Sequence, residues 1–118
     1  MGFQTFEELE VWKRGCALAV FVYEALHETR DFGLRDQMQR AAVSIPSNIA
    51  EGYERTDKDF IRFLSIAKGS AAELRTQAYI ARRVGLITTD QMNHIANETK
   101  QLSRMLQALA NSRKSTVS

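Results

Sequence analysis

Proline and cysteine are almost absent from this chain, since each occurs once among 118 residues, and glycine occurs only six times. The lone cysteine, Cys16, excludes a disulfide within the chain and points to a reducing compartment. So little proline and glycine leaves few residues for the many turns of a sandwich or barrel, which favours long helices.

Long apolar runs are also missing. The most apolar stretch, residues 16–26, is interrupted by Glu24 and is well short of the ~20 residues needed to cross a bilayer. The acidic first ten residues lack the basic-then-apolar order of a secretion signal. With 44% hydrophobic and 25% charged residues, the composition is that of an ordinary globular protein. We therefore expect one cytoplasmic domain over residues 1–118.

A large excess of charge of one sign is missing as well, because the net charge is only +2. Its distribution is uneven. Residues 1–31 carry three basic and six acidic side chains, net −3, whereas residues 57–118 carry ten basic and five acidic ones, net +5. This asymmetry either favours anions at one end of the molecule or reflects two solvated helix faces of opposite sign.

Apolar residues at three-four spacing predict four helices, at about 6–27, 34–53, 57–84 and 89–111, with a frayed tail at 112–118. Capping boxes beginning at Thr5 and Thr88 mark the starts of the first and fourth helices. Gly85 is expected to adopt the left-handed backbone conformation that ends the third helix. Because the connections are short, neighbouring helices are expected to be antiparallel. The prediction is an all-α, up-down-up-down four-helix bundle.

The stretch SIPSNIAEG, residues 44–52, looks like a loop but keeps the helical spacing of the second helix through Ile45 and Ile49. Pro46 removes one backbone donor and crowds the preceding turn, so a helix kinked near Pro46 is predicted. Asn48 and Glu51 are placed to bond backbone groups loosened by Pro46 or a neighbouring helix. That structural role is favoured over acid-base catalysis.

The first helix has two apolar stripes, although packing in one bundle needs only one. The core stripe is predicted to comprise Leu9, Trp12, Cys16, Ala19, Tyr23 and Leu26. On the third helix, two isoleucines and several small residues also lie off the core stripe. Since exposed patches of this kind invite association, a homo-oligomer is predicted. The predicted interface residues are Val11, Leu18, Phe21, Val22, Ile66, Gly69 and Ile80.

No catalytic or metal site is predicted. The Glu24–His27 pair fits half of a helical di-metal signature, but His94 is preceded by Gln91 at the matching position, so the second half is missing. The sequence contains no glycine-rich phosphate loop and no nucleophile elbow. We expect a non-enzymatic protein with no cofactor and no small-molecule substrate.

Two groups of basic residues are the candidates for nucleic-acid contact: Arg55, Lys58, Arg62, Lys100 and Arg104. In an oligomer each group would be repeated, and phosphate contact without base recognition would follow. Binding of RNA, DNA or a ribonucleoprotein is therefore the leading prediction. A protein-interaction scaffold, whose charges serve only solubility, remains the alternative.

Three segments taken together resemble a known family. They are FEELEVWKRGCALAVFVYEAL, FGLRDQMQRAAVSIPSNIAEGYER and KDFIRFLSIAKGSAAELRTQAYIARRVGLI. The order AVSIPSNIAEG followed by FLSIAKGSAAEL is the most specific part. Over residues 3–87 the chain is similar to the four-helix bundle family of 23S ribosomal RNA intervening-sequence proteins. It is distantly similar to the accessory protein of diversity-generating retroelements.

The resemblance implies an antiparallel four-helix bundle, a homopentamer and no established enzymatic activity. The retroelement relative is a basic pentamer that works with a reverse transcriptase and nucleic acid, whereas the charge here is nearly neutral. The resemblance implies no catalytic role for any residue. The positions that match the family motif are Pro46, Asn48, Glu51, Gly52, Gly69 and Ser70.

Overall fold

Four long helices make up almost all of the chain. A computed structural model describes residues 5–117, with helices α1 (Glu10–Ala25), α2 (Phe32–Tyr53), α3 (Asp57–Arg83) and α4 (Thr89–Lys114). Each helix packs against the next, and α4 packs against α1. The described part therefore closes into an elongated bundle of 48 × 23 × 22 Å. This confirms the predicted all-α four-helix bundle.

Contacts between α3 and α4 pair the beginning of one helix with the end of the other. Asp57 at the start of α3 bonds Arg113 near the end of α4 at 3.1 Å, and Lys68 bonds Gln107 at 2.6 Å. The two helices therefore run in opposite directions. No helix within residues 5–117 combines the length and the apolar character that crossing a membrane requires.

The N-terminal segment differs from the prediction of one helix starting at residue 6. Phe6–Glu8 form a short 3-10 turn, Leu9 is extended, and α1 begins only at Glu10. Glu8 does reach back to accept from the backbone N–H of Thr5 at 3.2 Å, as in the predicted box. The break at Leu9 lets the Phe6 ring pack edge-on against Trp12, with centroids 5.4 Å apart.

Three other boundaries differ slightly. Helix α1 stops at Ala25 rather than near His27. Helix α2 starts two residues earlier than predicted, because the Asp31 carboxylate accepts from Leu34 N–H at 3.1 Å and caps it. Helix α4 continues through Lys114, so the predicted fraying at residue 112 is wrong.

Local hydrogen bonds define both ends of α3, which stops at Arg83, one residue before the predicted end. Thr56 caps its start by accepting from Asp59 N–H at 3.2 Å. At its other end Gly85 has φ +82°, and Leu86 N–H bonds the Ala81 carbonyl at 2.8 Å. This is the pattern of a Schellman motif. Thr88 and Gln91 then form the capping box of α4, with bonds of 2.9 and 3.1 Å.

The core of α2, α3 and α4 consists of apolar residues at the three-four spacing from which these helices were predicted, and it includes Met38, Phe60 and Leu106. On α1 the predicted stripe is only partly right. Its members Ala19 and Leu26 are buried, but Val11, Leu18 and Val22 are buried in the chain's own core as well, with exposures of 4%, 1% and 0%. Tyr23, expected inside, is 48% exposed. Both stripes are apolar, so periodicity alone could not choose between them.

Close contact between α1 and α2 helps to fix which stripe faces inward. A Cβ atom at the buried Gly15 would lie 3.4 Å from Pro46, so the backbone of α1 approaches the proline ring of α2. With α1 packed in this way, Val11 and Leu18 are buried and Cys16 lies at the edge of the core. Pro46 is buried within the continuous helix α2. The kink near it stays a prediction.

Candidate interaction surfaces

The SIPSNIAEG stretch forms a hydrogen-bond network between α2 and α3. The Asn48 side-chain amide donates to the backbone carbonyl of Ser44 at 2.8 Å and to its hydroxyl at 2.9 Å. The Ser44 hydroxyl also lies 2.8 Å from the Ser70 hydroxyl on α3. All three side chains are half-buried. The network joins two helices and contains no general base that could activate either serine.

The end of the same stretch is a point of close helix approach. A Cβ atom at Gly52 would lie only 2.5 Å from Cβ of Phe63 on α3 and 3.1 Å from the Phe60 ring. Glu51 instead points outward and bonds Arg55 at 3.2 Å. The side chain of Glu51 is therefore part of the surface, while Gly52 is part of the core.

The predicted oligomer interface on α1 needs correction. Val11, Leu18 and Val22 are covered by their own chain, so they are not available to a second copy. Phe21 is half-buried and packs on the ring of His94 of α4, with centroids 4.3 Å apart. The apolar side chains that α1 leaves accessible are Tyr23 and, in part, Trp12 and Cys16 of the predicted core stripe, together with Val20 beside it.

These accessible side chains form a shallow apolar groove with α2, which we call the α1–α2 groove. Its volume is about 400 Å³. Val20 and Val43 in it are 58% and 41% exposed. Burial in these apolar surroundings raises the pKa of the Cys16 thiol, which makes it a weak nucleophile. The groove is lined by Trp12, Cys16, Ala19, Val20, Val43, Pro46, Ser47 and Ala50.

A second apolar surface lies on the outer side of α3, which we call the α3 ridge (Ile66, Gly69 and Ile80). Ile66 and Ile80 are 42% and 47% exposed. Nothing lies within 4 Å of a Cβ atom placed on Gly69. Small exposed side chains complete this side of the helix: Ser65, Ala72 and Thr76. The three predicted interface residues on α3 are thus on the surface of the chain.

Three of the predicted basic residues lie together where α2 turns into α3. The guanidinium groups of Arg55 and Arg62 lie 5.1 and 4.7 Å from the centroid of the Phe63 ring. Lys58 is exposed at the start of α3. Arg55 also pairs with Glu51 at 3.2 Å, and Arg62 lies 3.9 Å from Asp59. We call Arg55, Lys58 and Arg62 the turn cluster.

The other two predicted basic residues are not brought to the turn cluster. Lys100 and Arg104 are exposed on the outer side of α4. Arg113 on the same helix marks the level of the α3 start, because it bonds Asp57 at 3.1 Å. At ~1.5 Å per residue, Arg104 lies about 14 Å along the bundle from the level of Asp57. One chain therefore presents one basic group on α4 and another where α2 turns into α3.

Features that would indicate a reaction are few in the described residues. Glu24 and His27 are both exposed. Across residues 5–117, no three histidine, cysteine or acidic side chains lie together as metal ligands would. The accessible features of the described residues are instead an apolar groove, an apolar ridge and exposed basic groups.

Comparisons with known proteins identify the family. The profile of the 23S rRNA-intervening sequence protein family matches residues 7–108, and the chain belongs to this family. A crystal structure from Bacteroides thetaiotaomicron, described as a protein with unknown function from the S23 ribosomal protein family, is similar with a TM-score of 0.79 and 28% identity. The match covers 85% of this chain and 97% of that one. The search of curated proteins gave no match.

Proposed function

We propose that this protein is a non-enzymatic, cytoplasmic homo-oligomer that binds nucleic acid or a ribonucleoprotein through phosphate contacts. The observation that carries the proposal is the turn cluster, three exposed basic side chains at one end of the bundle. The family description, which refers to 23S rRNA, favours RNA among the possible ligands. The homopentamer implied by the family resemblance is the assembly we propose.

A net charge of +2 per chain is small for a protein that binds nucleic acid. Self-association compensates for this small charge. A ring would repeat the turn cluster in every copy, so several weak phosphate contacts would act together. The cations are also held in place: the Phe63 ring lies beneath Arg55 and Arg62. Each ordered cation that neutralises a phosphate releases counterions, which is the main source of sequence-independent affinity.

The proposal of a non-enzymatic role rests on the hydrogen-bond partners of the two half-buried serines. Ser44 bonds Asn48 and Ser70, and neither side chain is a base that could accept its proton. Cys16 lies in an apolar groove that raises its pKa, which disfavours the thiolate.

Nucleic-acid binding is tested by measuring affinity at several salt concentrations. The probes are a 23S rRNA fragment, an unrelated structured RNA and duplex DNA of equal length. We expect affinity for RNA to fall steeply with salt and the triple variant R55Q/K58Q/R62Q to bind more weakly. Its salt slope should be shallower by up to about 1 for each phosphate contact removed.

A matched control removes the same charge elsewhere. Lys13, Arg30 and Arg40 are exposed on other parts of the chain, so K13Q/R30Q/R40Q should retain the turn-cluster contacts. Both variants are first checked for unchanged assembly by sedimentation velocity. Equal loss of affinity in the two variants, or no wild-type binding at low salt, contradicts the proposal.

A protein-interaction scaffold is the second candidate, because the α1–α2 groove is apolar and accessible. Val20→Asp tests it, since Val20 is 58% exposed and lines the groove. A specific protein partner that stays bound after nuclease treatment, and is lost in V20D but not in R55Q/K58Q/R62Q, would favour the scaffold over the nucleic-acid role.

A further inference from the structure

We propose that the line of contact between α3 and α4 is a binding surface for a chain of phosphate groups, with one phosphate held between Lys68 and Lys114 and another between Arg75 and Lys100. We call the basic residues along this line the α3–α4 seam (Lys68, Arg75, Arg82, Lys100 and Lys114). The seam and the turn cluster share no residue. The inference rests on the proposed function only in that nucleic acid is one source of such a chain, inorganic polyphosphate being the other.

Helix α3 presents a row of basic side chains to α4. Lys68, Arg75 and Arg82 follow one another at intervals of seven residues, which brings each back to nearly the same side of the helix. Both ends of the row bond α4, since Lys68 Nζ donates to Gln107 Oε1 at 2.6 Å and Arg82 Nε donates to Thr89 Oγ1 at 2.7 Å. Arg75 therefore lies on the same edge of α3, midway between them.

Helix α4 supplies a matching row. Lys100, Gln107 and Lys114 are also seven residues apart, and Gln107 contacts Lys68 across the seam. Because the two helices are antiparallel, seven residues forward on α3 correspond to seven residues back on α4. Arg75 is therefore level with Lys100, and two cations face each other across the seam.

Three of the five acidic residues on α3 and α4 are directed away from the seam. Glu73 lines a groove that α3 forms with α2. Glu98 accepts from the Arg14 guanidinium of α1 at 2.9 Å, on the opposite side of α4. Asp59 lies 3.9 Å from Arg62 of the turn cluster. None of these carboxylates neutralises a seam cation.

The other two acidic residues lie at the ends of the seam. The Asp57 carboxylate accepts from both Arg113 and Thr116, which engages its two oxygens. Asp90 is in the first turn of α4, next to the Thr89 hydroxyl that accepts from Arg82. With both ends and Arg113 included, six basic side chains still face only two acidic ones. The basic excess therefore survives a complete count.

The seam cations have no partner of opposite charge. The Arg75 side chain is half-buried, yet it makes no hydrogen bond, ion pair or ring contact with any of residues 5–117, and the same is true of the exposed Lys100 and Lys114 side chains. Lys68 and Arg82 bond only neutral oxygens. Neighbouring like charges on helices repel each other, and a partly buried cation is costly without an anion. A bound anion would remove both costs.

One part of the seam has the size and chemistry of a phosphate site. Lys68 and Lys114 line a pocket of about 190 Å³ between α3 and α4, and Ser65 and Gln107 are further polar residues in its wall. At ~30 Å³ per water molecule, this space holds a phosphate group with several waters. Two ammonium groups and a hydroxyl are donors that suit phosphate oxygens.

The spacing of the cations favours a polymer over a single small anion. Successive levels of the seam are ~10.5 Å apart, given a rise of ~1.5 Å per residue. One inorganic phosphate can neutralise only one level, whereas a chain of phosphates contacts the levels in succession. Contacts to phosphate alone carry no sequence information, so binding along the seam is expected to be independent of sequence.

The first test is the triple variant K68Q/R75Q/K100Q of the full chain. The probes are an oligouridylate and an inorganic polyphosphate with the same number of phosphates. We expect the variant to bind more weakly by about tenfold or more at low salt, with a salt slope shallower by up to about 2, since each phosphate contact on a single strand contributes about 0.7. Circular dichroism and sedimentation velocity check folding and assembly, and K100Q/K114Q replaces the triple variant if helicity is lost.

Two comparisons separate the position of the charge from its amount. The matched control K13Q/R30Q/R40Q removes the same charge from other surfaces and should change the affinity much less. The turn-cluster triple variant should retain the binding of polyphosphate that depends on the seam. Both comparisons use the same two probes and the same salt series.

Lysine acylation locates the ligand directly, because the chain has only five lysines: Lys13, Lys58, Lys68, Lys100 and Lys114. At saturating polyphosphate, mass spectrometry should show protection of Lys100 and Lys114, which are exposed in the free chain. Lys13 on α1 should react as before. Lys58 reports on the turn cluster in the same experiment.

The outcomes distinguish the seam from the proposed function. Probe binding that the seam variant retains, protection confined to Lys58, or equal loss in the matched control overturns the seam and leaves the nucleic-acid role standing. Binding of polyphosphate but not RNA, lost in the seam variant, supports the seam and overturns the nucleic-acid role. RNA binding lost in that variant supports the seam with nucleic acid as the source of phosphates. No wild-type binding of either probe at low salt overturns both.

Discussion

Single residues decide how closely the helices can approach. Gly52 is buried where α2 meets α3, and a Cβ atom there would lie 2.5 Å from Cβ of Phe63. A separation this short is far inside van der Waals contact, and Phe63 Cβ cannot move without its backbone. This chain thus has glycine at position 52 because a side chain does not fit there.

Gly52→Ala is therefore expected to destabilise the fold. Overpacking of this kind costs about 1–3 kcal/mol in the free energy of unfolding, which urea denaturation measures. Gly33→Ala is the matched control, because a Cβ atom there meets only Asp31 Oδ1 at 3.7 Å. That variant should be neutral or more stable by up to about 1 kcal/mol. Equal effects of the two substitutions would contradict the packing argument.

Asp57 is a second residue with an identifiable physical role. Its carboxylate accepts from the Thr116 hydroxyl and from Arg113, which joins the end of α4 to the start of α3. These two hydrogen bonds lower the pKa of Asp57. The ionised form is therefore favoured in the folded state over the unfolded one.

This pKa shift predicts a pH dependence of stability. Because the folded pKa is lowered, the stabilisation is fully present above the unfolded value of about 4 and is lost as the pH falls through the folded value. Compared with Asp57→Asn, the wild type should be more stable at pH 7. The difference should shrink progressively below pH of about 4 in thermal unfolding at matched salt. A constant difference across this range would show that ionisation of Asp57 is not the cause.

At the scale of helices, polar contacts fix how α2 and α3 pair. Ser44 contacts Ser70 at 2.8 Å and Asn48 at 2.9 Å, and both bonds are partly shielded from water. Ser47, one turn along α2, is exposed. The two serines in one motif thus have different surroundings, and only Ser44 joins two helices.

Ser44→Ala should lower the free energy of unfolding by about 1–2 kcal/mol, because Ser70 and Asn48 lose a hydrogen-bond partner in a half-buried position. Ser47→Ala should change it by less than about 0.5 kcal/mol, as is usual on the surface. Chemical denaturation of the two variants side by side provides the test. A Ser47→Ala effect as large as that of Ser44→Ala would remove the network as the explanation.

For the whole molecule, the main feature is the apolar surface that one chain leaves uncovered. The groove and the ridge lie on different helices, and several of their large side chains are more than 40% exposed. If copies cover these surfaces mutually, unfolding is linked to dissociation. Mass action then makes stability depend on protein concentration.

The midpoint of thermal unfolding should accordingly rise with protein concentration for the wild type. Val20→Asp places a charge in the exposed apolar groove, so it should weaken self-association and reduce this dependence on concentration. Differential scanning calorimetry over a hundredfold concentration range makes the comparison. A wild-type midpoint independent of concentration would count against self-association in any arrangement.

Periodicity was sufficient to predict three of the four helices with their buried faces. On α3, eight apolar positions from Phe60 to Ala81 recur at helical spacing, and all of them are buried. The capping box at Thr88 also fixed the start of α4, because a cap acts through neighbouring backbone groups. Local signals of this kind need no knowledge of the rest of the chain.

The sequence by itself thus determined the helical class, most of the core and the family motif, since each depends on spacing along the chain. Which side of α1 faces inward was decided only by tertiary packing. Val11 and Cys16 lie on stripes of similar hydrophobicity, and the packing of α1 against its neighbours, including the close approach of Gly15 to Pro46, distinguishes them. The separation of Arg104 from the turn cluster has the same origin, because distance between helices is set by how they pack and not by their order in the chain.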